Sequence, residues 1–171
     1  KYLQKERPNL RVLTWDGGRV SPIQFTGTWS GLLIQEDSVP PLPDPQKGKW
    51  VVKNREDLWD DLLFAWKAAA LCKSNAIVVA SRKATTGIGS GFTSRVGAVR
   101  WALDQAKDKA RGAVMASDAF FPFADSLEEA ARAGIAAIIQ PGGSVRDKEV
   151  IEAAERLGIS MFLSGARTFR H

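Results

Sequence analysis

The chain predicts an α/β fold: a mixed, largely parallel sheet covered by helices. Three observations carry this. Ala76–Ala80 and Ile135–Ile139 are short apolar runs without polar alternation, as in strands buried on both faces. From Gly112 onward such runs alternate with amphipathic stretches of about ten residues, the pattern of strand–helix–strand crossovers. Glycine, proline, Ser and Asp cluster at the junctions, where turns are needed.

Taken in order, Asn9–Trp15 alternates apolar and polar residues as a half-buried strand does, and Asp16-Gly-Gly18 supplies a turn. Phe25–Gln35 reads as a second extended run, and the prolines between Pro40 and Pro45 as a surface loop. Lys49–Lys53 predicts a short strand. Arg55–Leu71 predicts a helix, with apolar residues recurring at three and four positions and acids in its first turn. A strand from Asn75 to Ala80 and a hairpin partner from Ala84 to Ile88 follow, then a glycine-rich turn and a helix over Thr93–Ala110. The remainder predicts strands at Gly112–Ala116, Ile135–Ile139 and Ile159–Leu163, with helices at Ser126–Ala133 and Lys148–Leu157. Ligands of such sheets bind beyond the strands' carboxyl ends, so the segments Ser117–Asp125, Gln140–Asp147 and Ser164–His171 are expected to gather on one edge.

At 171 residues and 44% apolar content the chain can bury one good core, which predicts a single domain over 1–171. The net charge of +5 favours an anionic partner. Lys and Arg are scattered, however, and not interleaved with aromatics, which favours small anionic ligands over nucleic acid, so no nucleic-acid partner is expected. No apolar run approaches the roughly 20 residues of a membrane span. One cysteine, Cys72, cannot form an internal disulfide, and no secretory pattern opens the sequence, so the expected compartment is the cytosol. The six tryptophans are expected in the core and at subunit contacts.

Several segments place chemistry at turns. Gly87-x-Gly-x-Gly91 departs from the dinucleotide spacing and lacks the acid about twenty residues on, so it reads as a tight strand-to-helix turn capped by Thr93 or Ser94. Asn75, opening a buried strand, is either a satisfied structural amide or a ligand contact able to donate and accept at once. Phe120-Phe-Pro-Phe123, bracketed by Asp118 and Asp125, offers rings that can hold a flat heterocycle, with a core role as the alternative. Asp125 is either a folded-in cap for the next helix or a ligand acceptor. Gly142-Gly-Ser144 is either a flexible turn or a set of open backbone amides, and Arg146–Asp147 reads as a solvated pair. Arg167 has the planar fork that suits a phosphate. Lys73 reads as a surface charge.

These motifs, with Lys73-Ser-Asn-Ala76 and Gly87–Arg95, resemble the carboxy-terminal half of the formyltransferase domain of the bifunctional purine biosynthesis proteins, strongly over 57–171 and more weakly over 1–56. The resemblance implies transfer of a formyl group from 10-formyltetrahydrofolate, as cosubstrate, to aminoimidazole carboxamide ribonucleotide (AICAR). It implies a cytidine deaminase-like α/β/α sandwich of three layers, and sites formed in a homodimer. Asn75, Arg95, Phe120, Arg167 and His171 then correspond to contacts with the ribonucleotide, and Val96, Asp125, Ser144 and Val145 to contacts with the folate. Arg167 takes the phosphate. The zinc deaminase motifs are absent, so no zinc is expected. The family's proton-transfer Lys–His pair lies ahead of the matched region, and no Lys-His dipeptide occurs in this sequence. The catalytic residues are therefore unassigned, and the chain carries mainly binding surface. A non-catalytic folate- or nucleotide-binding module of the same fold is the alternative, and a dinucleotide oxidoreductase a distant third.

Overall fold

The computed structural model describes residues 5, 9, 23–36 and 48–170. Residues 10–15 of the predicted strand at 9–15, including Trp15, lie outside the described residues, as do the prolines at 40–45 and His171. The chain divides into two units, Lys1–Val39 and Pro40–His171.

In the first unit, strand β1 (Ile23–Thr28) pairs antiparallel with β2 (Gly31–Glu36). The extended run expected over 25–35 is thus a hairpin. Thr28 lies opposite Gly31, so Trp29 and Ser30 make a two-residue turn, and the Thr28 hydroxyl donates to the Gly31 carbonyl at 2.9 Å. Trp29 is fully exposed at this tip, so of the two expected places for a tryptophan it is not in the core.

The second unit begins with β3 (Lys49–Val52) and a 3-10 turn (Glu56–Leu58) leading into α1 (Trp59–Ala70). A hairpin of β4 (Ile77–Ser81) and β5 (Ala84–Gly89) follows, then α2 (Arg95–Ala106) and a second 3-10 turn (Lys107–Ala110). The chain continues through β6 (Val114–Ser117), α3 (Asp125–Arg132), β7 (Ala137–Gln140), α4 (Asp147–Leu157) and β8 (Ser160–Leu163). Each predicted element of this unit is present, with two helices shortened. Helix 55–71 opens as a 3-10 turn because the Asn54 and Arg55 amides are held by the Ser160 hydroxyl, at 3.0 and 2.7 Å. Helix 93–110 stops at Ala106 because Lys107 adopts a φ of 50°. Its start is fixed by Ser94, whose hydroxyl accepts from the Gly97 amide.

The six strands lie in the order β3-β8-β7-β6-β4-β5. β6, β7 and β8 run parallel, as crossovers through helices dictate. The other three pairings are antiparallel: β3 with β8, and β4 with both β6 and β5. The sheet is therefore mixed and not largely parallel. The physical reason is the short Arg82–Lys83 turn, which can only join antiparallel strands, and the insertion of β4 between β5 and β6. Both turn residues sit at positive φ, held by their amides donating to the Asp61 carboxylate at 2.8 Å each.

Alternation along the strands separates two cores. Val78, Ala80, Val114, Ala116, Ala137, Ile139 and Phe162 face α1, which buries Leu62, Ala65, Trp66 and Ala69 against them. Ile77, Val79, Met115, Ile138 and Met161 face the opposite way, beneath α2, α3 and α4. The sheet is thus covered on both sides, and emptying a site such as Leu62 to Ala costs about 2–5 kcal/mol. Among the tryptophans here, Trp66 is core, Trp50 and Trp59 pack edge-to-face on Phe162, and Trp101 is half exposed beside Phe92. No helix among the described residues is long and apolar enough to cross a membrane.

Gly87 and Gly89 lie inside β5, and this corrects the reading of the glycine run as a turn alone. A Cβ on Gly87 would collide with the Ala102 carbonyl, and one on Gly89 with the Ala98 carbonyl. Their absence lets α2 rest directly on the strand. Gly89→Ala is therefore expected to destabilise the fold by about 3 kcal/mol, because rigid backbone must move. Equilibrium denaturant unfolding reads this, and a change below about 0.5 kcal/mol contradicts the packing.

Candidate functional site

β4 runs down between two strands that run up, so its start meets their ends. Ile77 is opposite both Gly89 and Ser117. Asn75, the loop after β5 and the loop after β6 therefore emerge at one edge of the sheet, joined there by the loops after β7 and β8.

Main-chain and side-chain bonds tie these loops into a rim. The Gly91 amide donates to the Lys73 carbonyl at 2.7 Å, and the Asn75 amide to the Phe92 carbonyl at 3.2 Å. Ser74 and Arg170 exchange two bonds, Ser74 N–H to the Arg170 carbonyl at 2.9 Å and Arg170 N–H to the Ser74 hydroxyl at 3.0 Å. The Thr168 amide donates to the Asp118 carbonyl at 3.0 Å. The buried Gln140 side chain, at the end of β7, accepts from the Phe121 amide at 2.8 Å, while Ser164 N–H reaches the Gln140 carbonyl. A carboxy-terminal segment that would otherwise fray is thus bound along its length.

At the centre of the rim lies Asp118, wholly buried. Its Oδ1 accepts from Arg95 Nη1 at 2.6 Å and from the Ala76 amide at 3.0 Å, while Oδ2 has no partner. Arg95, with a side chain only 7% exposed, also donates from Nη1 to the Ser117 hydroxyl at 2.8 Å and from Nη2 to Asn75 Oδ1 at 2.6 Å. Asn75 Nδ2 donates to the Phe92 carbonyl at 2.8 Å. The Asn75 side-chain amide thus makes structural bonds on both sides. It keeps one N–H and one lone pair, and Arg95 keeps donors on Nη2 and Nε.

Beside this cluster the exposed Arg167 guanidinium lies 4.8 Å from the centre of the half-buried Phe120 ring. No ion pair engages Arg167 among the described residues. Phe121 is fully buried core, so only Phe120 and Phe123 of the aromatic run reach the surface. Phe123 carries a second stacked guanidinium, that of Arg146, at 4.7 Å.

The remaining predicted residues lie farther along the same edge. Val96 is half-buried at the start of α2, next to Arg95. Asp125 is exposed and begins α3 itself, its Oδ1 accepting from the Ser126 amide at 2.7 Å. Ser144 is half-buried, its hydroxyl accepting from the Arg146 amide, and Val145 is fully exposed. No hydrogen bond among the described residues joins Val96 to Ser144 or Val145.

Two expectations are corrected here. In Gly142-Gly-Ser144 the last two amides are not open, because Asp147 folds back from the start of α4 and accepts from Gly143 N–H at 2.6 Å and Ser144 N–H at 3.0 Å. Nor are Arg146 and Asp147 a pair: Arg146 reaches Glu149 at 3.6 Å. A shallow cavity of about 300 Å³ opens beside this loop, lined by Lys49, Pro141, Gly142, Gly143, Asp147, Leu163 and Gly165. Burial pushes the Cys72 thiol up from the ordinary value, opposed by a bond from Ser90.

Sequence reading passed over the structural parts of Asp118, Ser117 and Gln140. Their signal was present: each is a polar residue at or just past the end of an apolar strand, where it can only be buried if it is bonded.

Comparison with known proteins matches residues 1–105 to the AICARFT/IMPCHase bienzyme family. The bifunctional purine biosynthesis protein PurH of Streptococcus gordonii is 49% identical over 99% of this chain, and that of Streptococcus suis 46% identical over 99%. The chain spans about a third, 34%, of the length of these relatives. Among solved structures, RibD of Acinetobacter baumannii superimposes with a TM-score of 0.44 at 17% identity, covering 64% of this chain and 36% of that one, too weak a likeness to argue from.

Asp147→Ala is expected to release the Gly143 and Ser144 amides and cost about 1 kcal/mol, since water can reach them. Hydrogen exchange at these two amides should speed up while exchange in β7 stays unchanged. Unaltered exchange at 143 and 144 contradicts the bonding.

Proposed function

Since the chain belongs to the AICARFT/IMPCHase bienzyme family, we propose that it is part of an AICAR formyltransferase, its rim binding the ribonucleotide and 10-formyltetrahydrofolate. The observation that carries this reading is the direct bond between Asn75 and Arg95, set beside the Phe120–Arg167 stack on the same edge. In this proposal the carboxamide of the ligand meets the unused N–H and lone pair of Asn75 and a remaining donor of Arg95. Its imidazole lies against Phe120, and its phosphate takes the Arg167 fork. Arg167 is suited to that end because it is exposed and already oriented by the ring beneath it.

The folate is assigned to the other end of the rim, along Val96, Asp125, Ser144 and Val145, where Asp125 is an acceptor for the amino and ring nitrogens of a pterin. His171 is assigned to the ribonucleotide. Formyl transfer joins the ligand's amine nitrogen to the formyl carbon, breaks the bond from that carbon to the folate nitrogen, and moves a proton from the amine to the leaving nitrogen. The residues above bind and orient. The proton transfer is left to a Lys–His pair supplied from elsewhere, so formyl transfer by the chain alone is not expected. The reading further comprises a cytidine deaminase-like fold, one half-unit over 1–171, a homodimer and a cytosolic location.

Arg167→Ala should weaken ribonucleotide binding about tenfold to a hundredfold, the worth of a charge-assisted fork. The dephosphorylated nucleoside should lose almost nothing. Isothermal titration with both ligands distinguishes the two. Equal losses for nucleotide and nucleoside, or no heat with either on the unsubstituted chain, overturn the assignment.

A further inference from the structure

Resting on the reading of Asn75 and Arg95 as carboxamide contacts, we infer that Asp118 is a specificity-determining residue: it makes that corner a receptor for a neutral carboxamide and a poor one for a carboxylate. The geometry is a charge cancelled at its source. Arg95 is buried, and its guanidinium bonds the Asp118 carboxylate at 2.6 Å. The remaining donors of Arg95 therefore carry hydrogen bonds to a ligand without a net positive field behind them. Asp118 Oδ2 is buried and without a partner, so the carboxylate is answered by Arg95, with the Ala76 amide, and has no second cation to make the corner positive. An anionic group placed on Asn75 would therefore find no net positive charge to pair with, and one missing compensating charge a few ångströms away changes affinity by more than tenfold.

The other end of the rim is built the opposite way. Arg167 is exposed, stacked on Phe120 and joined to no carboxylate among the described residues. One rim thus offers a cationic group for a phosphate and a neutral hydrogen-bonding corner for the heterocycle's substituent. Its ligand carries its negative charge at one end only. The expected discrimination is between aminoimidazole carboxamide ribonucleotide and the otherwise identical ribonucleotide bearing a carboxylate.

Asp118→Asn separates charge from shape. The Asp118 main chain keeps its bonds to Ala76 and Thr168. The new amide oxygen can still accept from Arg95 and the Ala76 amide, and the new NH2 takes the place of an oxygen that has no partner. Only the negative charge is lost. The full chain, its Asp118→Asn variant and an Arg95→Gln variant are titrated calorimetrically with both ribonucleotides, and thermal melting reports their folding.

The unsubstituted chain should favour the carboxamide at least about tenfold. Asp118→Asn should move the ratio toward the carboxylate by about tenfold or more, and Arg95→Gln, which leaves Asp118 uncompensated, should move it the other way. If one variant fails to fold, the other decides by the sign of its shift. A ratio that stays within about twofold in the folded variants overturns the inference while the proposed function stands. An unsubstituted chain that binds neither ribonucleotide overturns both.

Discussion

The arrangement of the rim depends on the buried bond between Arg95 and Asp118. Both groups lose almost all contact with water, and such a pair contributes little net stability, since desolvation offsets the attraction. What it contributes is position. Arg95 opens α2, Asp118 ends the β6 segment, the Ala76 amide opens β4, and the Asp118 carbonyl holds the carboxy-terminal segment through Thr168. Four parts of the chain, separated by up to about ninety residues, are referred to one carboxylate residue. Removing either charge alone would strand the other in the interior, a penalty of about 3–5 kcal/mol.

The sheet makes that convergence possible. An all-parallel layer would put the start of every strand on the edge opposite the ligand. With β4 reversed, the start of one strand joins the ends of its neighbours, so Asn75 stands beside the loops after β5 and β6. The reversal in turn depends on the Arg82–Lys83 turn, held at positive φ by Asp61, and on Gly87 and Gly89, which admit α2 over β5. The helix start that carries Arg95 is placed by those two glycines.

The parts of this fold legible in the sequence were those governed by local pattern. Unbroken apolar runs gave β4, β6, β7 and β8, helical periodicity gave α1 to α4, and the position of motifs after strands located the rim. Long-range register was not legible. Nothing local says that β4 lies between β5 and β6, so the sheet was expected to be more parallel than it is. The same limit hid the partners of charged groups. Asp147 looked solvated because its acceptors' donors, Gly143 and Ser144, are brought to it only by the turn, and Asp118 looked like a flank of the aromatics because Arg95 is twenty-three residues away. The exposure of Trp29 was hidden for a different reason: an apolar residue at a hairpin tip has the composition of a strand and the environment of a loop.

The structure of the chain in complex with aminoimidazole carboxamide ribonucleotide tests this account most directly. The account places the phosphate on Arg167, the imidazole against Phe120 and the carboxamide on Asn75, with the Arg95–Asp118 bond still closed. A ribonucleotide bound away from this rim, or an Arg95 that leaves Asp118 to take the phosphate, would contradict it.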